Sequence, residues 1–247
     1  MTIHSKSNEF KAALWEGRVR FAVAGEWDVL FDRAQLRISR YDCVAVEAGP
    51  SMDAPPASSM TRPLPRRPEI ALSLTNNDPA VIRRALGWGI QTLMLPAPGN
   101  RRDLQACISA IRYGPFELAL NSGNTQNQLR PAFGEPPDEE ICLLVRLGPC
   151  PPLERLSEFA SVEGVDGFVL ENAEMADAGY LREAAHRMRI AGKAPGIKVA
   201  SAQDAHAMLA FGFKLVVTSK EADPLHTHNL RHIRQAPAWH TGRPHPS

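Results

Sequence analysis

Three things are scarce in this sequence: charge of one sign, cysteine and long apolar runs. Lys and Arg number 28 and Asp and Glu 27 among 247 residues, so the formal net charge is +1. That balance argues against a general nucleic-acid binder and against a polybasic membrane surface. No run of 18 apolar residues occurs, so no membrane-spanning helix is expected. The opening MTIHSKSNEFKAAL has no apolar core of the kind a secretion signal needs. The four cysteines, Cys43, Cys107, Cys142 and Cys150, form no Cys-x-x-Cys pair, and two lie in apolar runs. The expectation is a reduced, cytoplasmic chain with buried thiols. No Gly-x-Gly-x-x-Gly follows the first apolar run, so a nucleotide-binding, doubly wound sheet has no support.

What is present is ordinary globular composition, 44% hydrophobic and 22% charged. The length suits two small domains or one α/β barrel, since such barrels run to about 250 residues. Short apolar runs recur at 21–24, 43–47, 70–74, 92–96, 141–147, 167–170, 196–200 and 215–218. Each is apolar on both faces, as buried parallel strands are. A ninth run, 116–120, is weaker. Amphipathic stretches lie between most of them. Asp78-Pro79 opens one, with Asp78 placed to cap and Pro79 in the first turn. Others cover 100–113, 152–162, 178–191 and 202–211, the last two stopped by Gly192 and Gly212. Eight strands alternating with helices predict an α/β fold, a (β/α)₈ TIM barrel. One barrel domain is expected over 1–235, with a poorly ordered tail over 236–247. The segments 51–68, with five prolines, and 114–138, rich in Asn, Gln and Pro, read as irregular loops or short helices.

Several stretches in order resemble the HpcH/HpaI aldolase family, which includes relatives of citrate lyase β-subunits. They are NEFKAALWEGRVRFAV at 8–23, Val46-Glu47-Ala48-Gly49-Pro50, Asn77-Asp78-Pro79, and Ala110-Ile111-Arg112-Tyr113. The strongest are EEICLLV at 139–145, VEGVDGFVL at 162–170 and AGKAPGI at 191–197. The resemblance implies a barrel, usually oligomeric, with its site at the C-terminal ends of the strands. It also implies reversible aldol cleavage of a 4-hydroxy-2-oxo acid. A divalent metal such as Mg, Mn or Co holds the pyruvate enolate, a Glu and an Asp bind the metal, an Arg steadies the enolate oxygen, and a His-based network moves the proton. An oxygen-rich octahedral site suits such metals, and an enolate needs a Lewis acid.

At these positions the sequence departs from the pattern. The family's Glu-His-Gly-Pro histidine is Ala48, although Glu47 and Gly49 remain. The arginine position at the end of the third strand is Ser73. The family's Val-Gln-x-Glu reads Val145-Arg146-Leu147-Gly148, so one ligand position is Gly148 and the glutamine is Arg146. Its Gly-Pro-Ala-Asp reads Glu171-Asn172-Ala173-Glu174, so the other ligand position is Glu174. The framework is kept and the reacting groups are mostly replaced. This favours a non-catalytic binding or assembly subunit, a homo-oligomer with no resident cofactor, whose old pocket takes a small oxo acid through Arg146, Asn172 and Ala173. The alternative is a metal-dependent carbon–carbon lyase with a rearranged site using Glu47, Arg146 and Glu174, with Mg, Mn or Co at Glu174.

Each candidate also has a plainer reading. Glu47 suits a solvated or Arg-paired rim carboxylate. Glu171 suits a helix-start charge facing solvent. Arg146, inside an apolar strand, needs a partner, and Glu47 or Glu174 would turn a metal site into a salt bridge. His226, His228 and His232 suit an exposed helix, although His228 and His232 at i, i+4 could hold Zn or Ni. Lys193 and Lys198 invite a Schiff base, with Lys198 in an apolar strand. Cys150 has no basis for special reactivity. Trp88 and Trp239 are candidate exposed anchors for self-association.

Overall fold

A computed structural model describes residues 8–25, 41–48, 69–112, 138–172, 176–200 and 202–218. Eight parallel strands close into a barrel in chain order, the last pairing with the first. The strands are β1 (Arg20–Gly25), β2 (Cys43–Glu47), β3 (Glu69–Ser73), β4 (Thr92–Pro96), β5 (Cys142–Leu147), β6 (Gly167–Leu170), β7 (Ala194–Val199) and β8 (Leu215–Thr218). The helices among the described residues are α1 (Glu9–Trp15), α2 (Pro79–Gly87), α3 (Arg101–Arg112), α4 (Leu153–Ala160), α5 (Ala178–Ile190) and α6 (Ala202–Ala210). The expected barrel is therefore the observed one. The weak run at 116–120, the segment 51–68, residues 114–137, the three late histidines, Trp239 and the tail lie outside the described residues.

Because successive strand residues face opposite ways, each strand feeds two apolar layers. Phe21, Val44, Leu72, Leu93, Val145, Phe168, Ile197 and Val216 point outward and pack with the helices. Ala22, Cys43, Ala45, Ala71, Met94, Cys142, Leu144, Val169, Ala194, Leu215 and Val217 fill the barrel itself. The helices cover the outer layer with the faces that their spacing dictates. Leu104, Cys107, Ile108 and Ile111 of α3 are buried, as are Leu156, Phe159 and Ala160 of α4. Asp78 caps α2 by accepting from the Ala80 amide at 2.8 Å. Gly192 and Gly212 end α5 and α6 with φ of 71° and 103°, a conformation that favours glycine.

Two corrections come from packing. Trp88 is only 8% exposed and sits in the outer layer, because the chain turns back against the barrel where α2 ends. It is not an exposed anchor. Strand β7 begins at Ala194, two residues before the predicted start, because Gly167 pairs with Ala194. Glycine is required there. A Cβ on Gly167 would lie 2.7 Å from the Ala194 carbonyl oxygen, and one on Gly196 would lie 2.8 Å from that of Phe168.

The N-terminal end of the barrel is closed by α1. Phe10 and Leu14 enter the interior layer. Buried Asn8 caps α1 by accepting from the Lys11 amide at 2.8 Å, and its Nδ2 donates to Thr92 Oγ1 at 3.2 Å and to the Glu140 carbonyl at 3.0 Å. Asp166, 5% exposed, accepts from Trp15 Nε1 and from the Leu143 amide, both at 2.8 Å, with Lys11 Nζ 3.6 Å away. Burial pushes the Asp166 carboxyl above its ordinary range, while Lys11, the Leu143 amide and Trp15 pull it back. Chemistry at this end is shut away from solvent, so the opposite end is the one that can receive a ligand.

Candidate functional site

The open end is built from the last inward-facing position of each strand. The alternation that puts Cys43 and Ala45 inside carries on to Glu47, and that of Cys142 and Leu144 to Arg146. Ala71 leads in the same way to Ser73, Val169 to Glu171, and Ala194 through Gly196 to Lys198. The mouth therefore gathers Glu47, Ser73, Arg146, Glu171 and Lys198. Glu47 is exposed, Ser73 is buried, and Arg146, Glu171 and Lys198 are half-buried.

Arg146 is the best-anchored of these groups. Its Nη2 donates to the Leu74 carbonyl at 2.6 Å. Its Nη1 lies 3.4 Å from Glu171 Oε1. Its Nε is buried with no hydrogen-bond partner. The guanidinium thus leaves β5, passes the end of β4 and reaches the end of β3, beside Ser73. Glu171 is its partner because it follows β6, the neighbouring strand, in which Val169 pairs with Arg146. Glu47 stands on β2, three strands away, and has no ion pair among the described residues. Of the two partners expected for Arg146, Glu47 is not paired with it and Glu174 lies outside the described residues; the pair observed is Arg146–Glu171, and Glu171 is not the free solvent-facing charge of the plainer reading.

No protein-family profile matches the chain. The chain is similar to 4-hydroxy-2-oxo-heptane-1,7-dioate aldolase of Shigella flexneri, with 29% identity over 238 residues, 83% of this chain and 84% of the relative. It is also similar to pyruvate aldolase of Rhizobium etli, with 33% identity over 143 residues, 49% of this chain and 54% of the relative. The barrel superposes on an HpcH/HpaI aldolase/citrate lyase family protein of Burkholderia cenocepacia with a TM-score of 0.64 and 17% identity, covering 93% of this chain and 98% of the other. The HpcH/HpaI aldolase of Desulfitobacterium hafniense gives 0.60 and 14%, covering 95% and 98%. The chain is similar to HpcH/HpaI-type aldolases along most of its length.

In this barrel the remaining sequence candidates fall in different places. Ala48 is 4% exposed and packs in the outer layer, its amide donating to the Ser73 carbonyl at 2.8 Å. Gly148 follows β5 with open space around its Cβ position. Asn172 is exposed and left-handed, with φ of 51°, a conformation that Asn tolerates better than most residues. Ala173 and Glu174 lie outside the described residues. Lys193 is buried and donates to the Val162 and Val165 carbonyls at 2.8 Å, which makes it a brace between α4 and β7. Cys150 is exposed and borders a 240 Å³ cavity with Gly148, Pro152, Arg155 and Phe159, between β5 and α4. Arg146 does not line that cavity.

Two features of this protein went unread in the sequence. The closed-end cluster of Lys11, Trp15 and Asp166 joins residues up to 155 positions apart in the chain, and no local pattern signals it. Lys198 was noticed as a lysine in a strand, yet its direction was readable. Ala194, Gly196 and Lys198 share one face, and the small residues on it mark the barrel interior.

Proposed function

We propose that this protein does not carry out the aldol reaction and serves as a non-catalytic binding or assembly subunit. The observation that carries this reading is the anchoring of Arg146 between Leu74 and Glu171. The divalent-metal centre that the resemblance implies needs several oxygen donors facing one point. The described residues do not fit it. Gly148 has no side-chain donor, Glu171 is engaged by Arg146, and the guanidinium itself brings positive charge into the mouth. Among the described residues, no group of three or more His, Cys, Asp or Glu side chains could hold a metal ion. The test is pyruvate–aldehyde addition and oxaloacetate decarboxylation by purified protein with excess Mg, Mn or Co. The expected result is no metal-dependent turnover above buffer. Substantial metal-dependent turnover overturns the reading.

A second reading, a rearranged carbon–carbon lyase using Glu47, Arg146 and Glu174, draws support from one observation. Arg146 Nη2 contacts the carbonyl of Leu74, next to Ser73, and so brings a cation to the end of β3 where the resemblance places one. Metal-dependent turnover that Glu47→Gln abolishes would favour it. We also propose a reduced, cytoplasmic setting, supported by the buried free thiols of Cys43, Cys107 and Cys142, and a homo-oligomer, which the resemblance implies. Among the described residues no helix is long and apolar enough to cross a membrane. Light scattering that gives the mass of a single chain at micromolar concentration would refute the oligomer.

A further inference from the structure

We propose that the outer faces of α4 and α5 form a self-complementary surface through which two copies of this chain pair about a two-fold axis. The inference rests on the homo-oligomer reading and names the face that meets. The two helices lie side by side and run the same way. Tyr180 Oη donates to the Pro151 carbonyl at 2.7 Å near their starts, and Arg187 Nη1 donates to Ser157 Oγ at 3.3 Å further down. Leu156, Phe159 and Ala160 bury one side of α4, which turns Glu154 and Glu158, one helical turn apart, to solvent. Leu181, Ala184, Ala185 and Met188 do the same for α5 and leave Arg182, His186, Arg189 and Ile190 exposed. Ile190, 68% exposed, is the one large hydrophobic residue that stands in solvent among the described residues.

The charges on these faces are unmatched within the chain. Glu183, the carboxylate within α5, is taken by Arg187 at 2.7 Å. Arg182 lies over the Phe211 ring, 4.5 Å from its centre, and Arg189 Nη2 donates to His186 Nδ1 at 2.9 Å. Neither arginine has a carboxylate partner among the described residues, and neither Glu154 nor Glu158 has an ion pair there. Arg155 of α4 points the other way, to the Pro98 and Gly99 carbonyls. The outer face of α4 is therefore acidic and that of α5 basic. A two-fold axis parallel to the helices and between them lays α4 of each copy on α5 of the other, with direction along the barrel unchanged. Heights follow from the Ser157–Arg187 contact at about 1.5 Å per residue. Glu154 stands level with the turn between Arg182 and His186, and Glu158 with that between His186 and Arg189. Each carboxylate thus meets N–H donors of the other copy, and Ile190 comes to lie near exposed Ser161. An axis across the helices would instead lay α4 on α4 and α5 on α5, like charge against like, which is costly. An apolar centre at Ile190 within a charged rim has the anatomy of a protein–protein interface.

The test is sedimentation equilibrium of the full chain at micromolar concentration, with circular dichroism to show that each variant is folded. The unmodified chain is expected as a dimer or a multiple of one. Glu154→Arg with Glu158→Arg makes both faces basic, and Arg182→Glu with Arg189→Glu makes both acidic. Each pair of substitutions is expected to weaken association at least tenfold, because like charges then meet twice in every dimer. An equimolar mixture of the two variants should recover the mass of the unmodified chain, since each offers the other an opposite charge at both contacts. Ile190→Ser, at an exposed site, should also weaken association at least tenfold. Unchanged association of either charge-reversed variant or of Ile190→Ser overturns the proposal, as does a mixture that does not recover the mass. A monomeric unmodified chain overturns both this face and the homo-oligomer, and leaves the surface to a different partner. An oligomer indifferent to these substitutions overturns this face alone.

Discussion

The Arg146 guanidinium and the Glu171 carboxylate stand 3.4 Å apart at the open end of the barrel, on neighbouring strands. Their side chains are 16% and 23% exposed, so solvent screens the pair only in part. With Nη2 on the Leu74 carbonyl, Arg146 ties the ends of β3, β5 and β6 together. Arg146→Met leaves both that carbonyl and Glu171 without their partner. A loss of about 1–3 kcal/mol is expected from such a change. Urea unfolding checks it. Glu171→Gln, which keeps an acceptor for the guanidinium, should cost less than Arg146→Met.

Asp166 predicts a pH dependence. Burial raises its carboxyl above the ordinary value of 3.8, so the fold holds the proton more tightly than the unfolded chain does. Its contribution to stability is therefore fully present below pH 3.8 and is lost as pH rises through the raised value. Asp166→Asn removes this titration. It also puts an amide NH₂ against a donor, since both carboxylate oxygens accept from N–H groups. The variant should be less stable by about 1–3 kcal/mol in acid. The gap between wild type and variant should narrow as pH rises above 3.8 and through the raised value, read as urea midpoints. A gap that widens instead contradicts this assignment.

Gly148 is open to substitution. No atom lies within 4 Å of its Cβ position, so Gly148→Glu should fold within about 0.5 kcal/mol of wild type. The new carboxylate stands at the position where the resemblance places a metal ligand. Mn(II) affinity, read by paramagnetic resonance, should rise, and should rise further in Gly148→Glu combined with Arg146→Gln. Ala48→His alone should leave both metal affinity and aldol addition unchanged, because position 48 points into the outer layer.

A contrast between two glycines tests the packing. Gly167→Ala forces a Cβ to 2.7 Å from the Ala194 carbonyl, and backbone in a closed barrel cannot move away cheaply. Overpacking of this kind costs about 1–3 kcal/mol. Gly87, in α2, has nothing within 4 Å of its Cβ position. Gly87→Ala should stabilise by about 0.4–1 kcal/mol by restricting the unfolded chain. The two variants should therefore shift the thermal midpoint in opposite directions.

The strands were legible because each is short, apolar on both faces and separated from the next by an amphipathic stretch. Runs 43–47, 92–96, 167–170 and 215–218 coincide with β2, β4, β6 and β8. Helix α1 was not read as a helix, because its seven residues carry too little periodicity, and its stability comes from Asn8 and from burying Phe10 and Leu14. Trp88 was misread because exposure depends on where the chain turns after α2, and composition does not record that. Glu47, one of the two partners expected for Arg146, does not reach it because β2 and β5 are three strands apart, a distance that appears only once the barrel closes.

The order of elements, the two-sided burial of the strands, the cap at Asp78, and the replacement of family residues at 48, 73 and 148 were all determined by the sequence itself. These follow from local stereochemistry and from which side chains are present. Tertiary structure alone decided which charges meet. Closing the barrel set Arg146 against Glu171, packed Ala48 in the outer layer and buried Asp166 beneath α1. Alternation says which face of a strand a residue is on. Only closure and register bring residues from different strands to one place, because an interaction between charges depends on distance and burial rather than on separation along the chain.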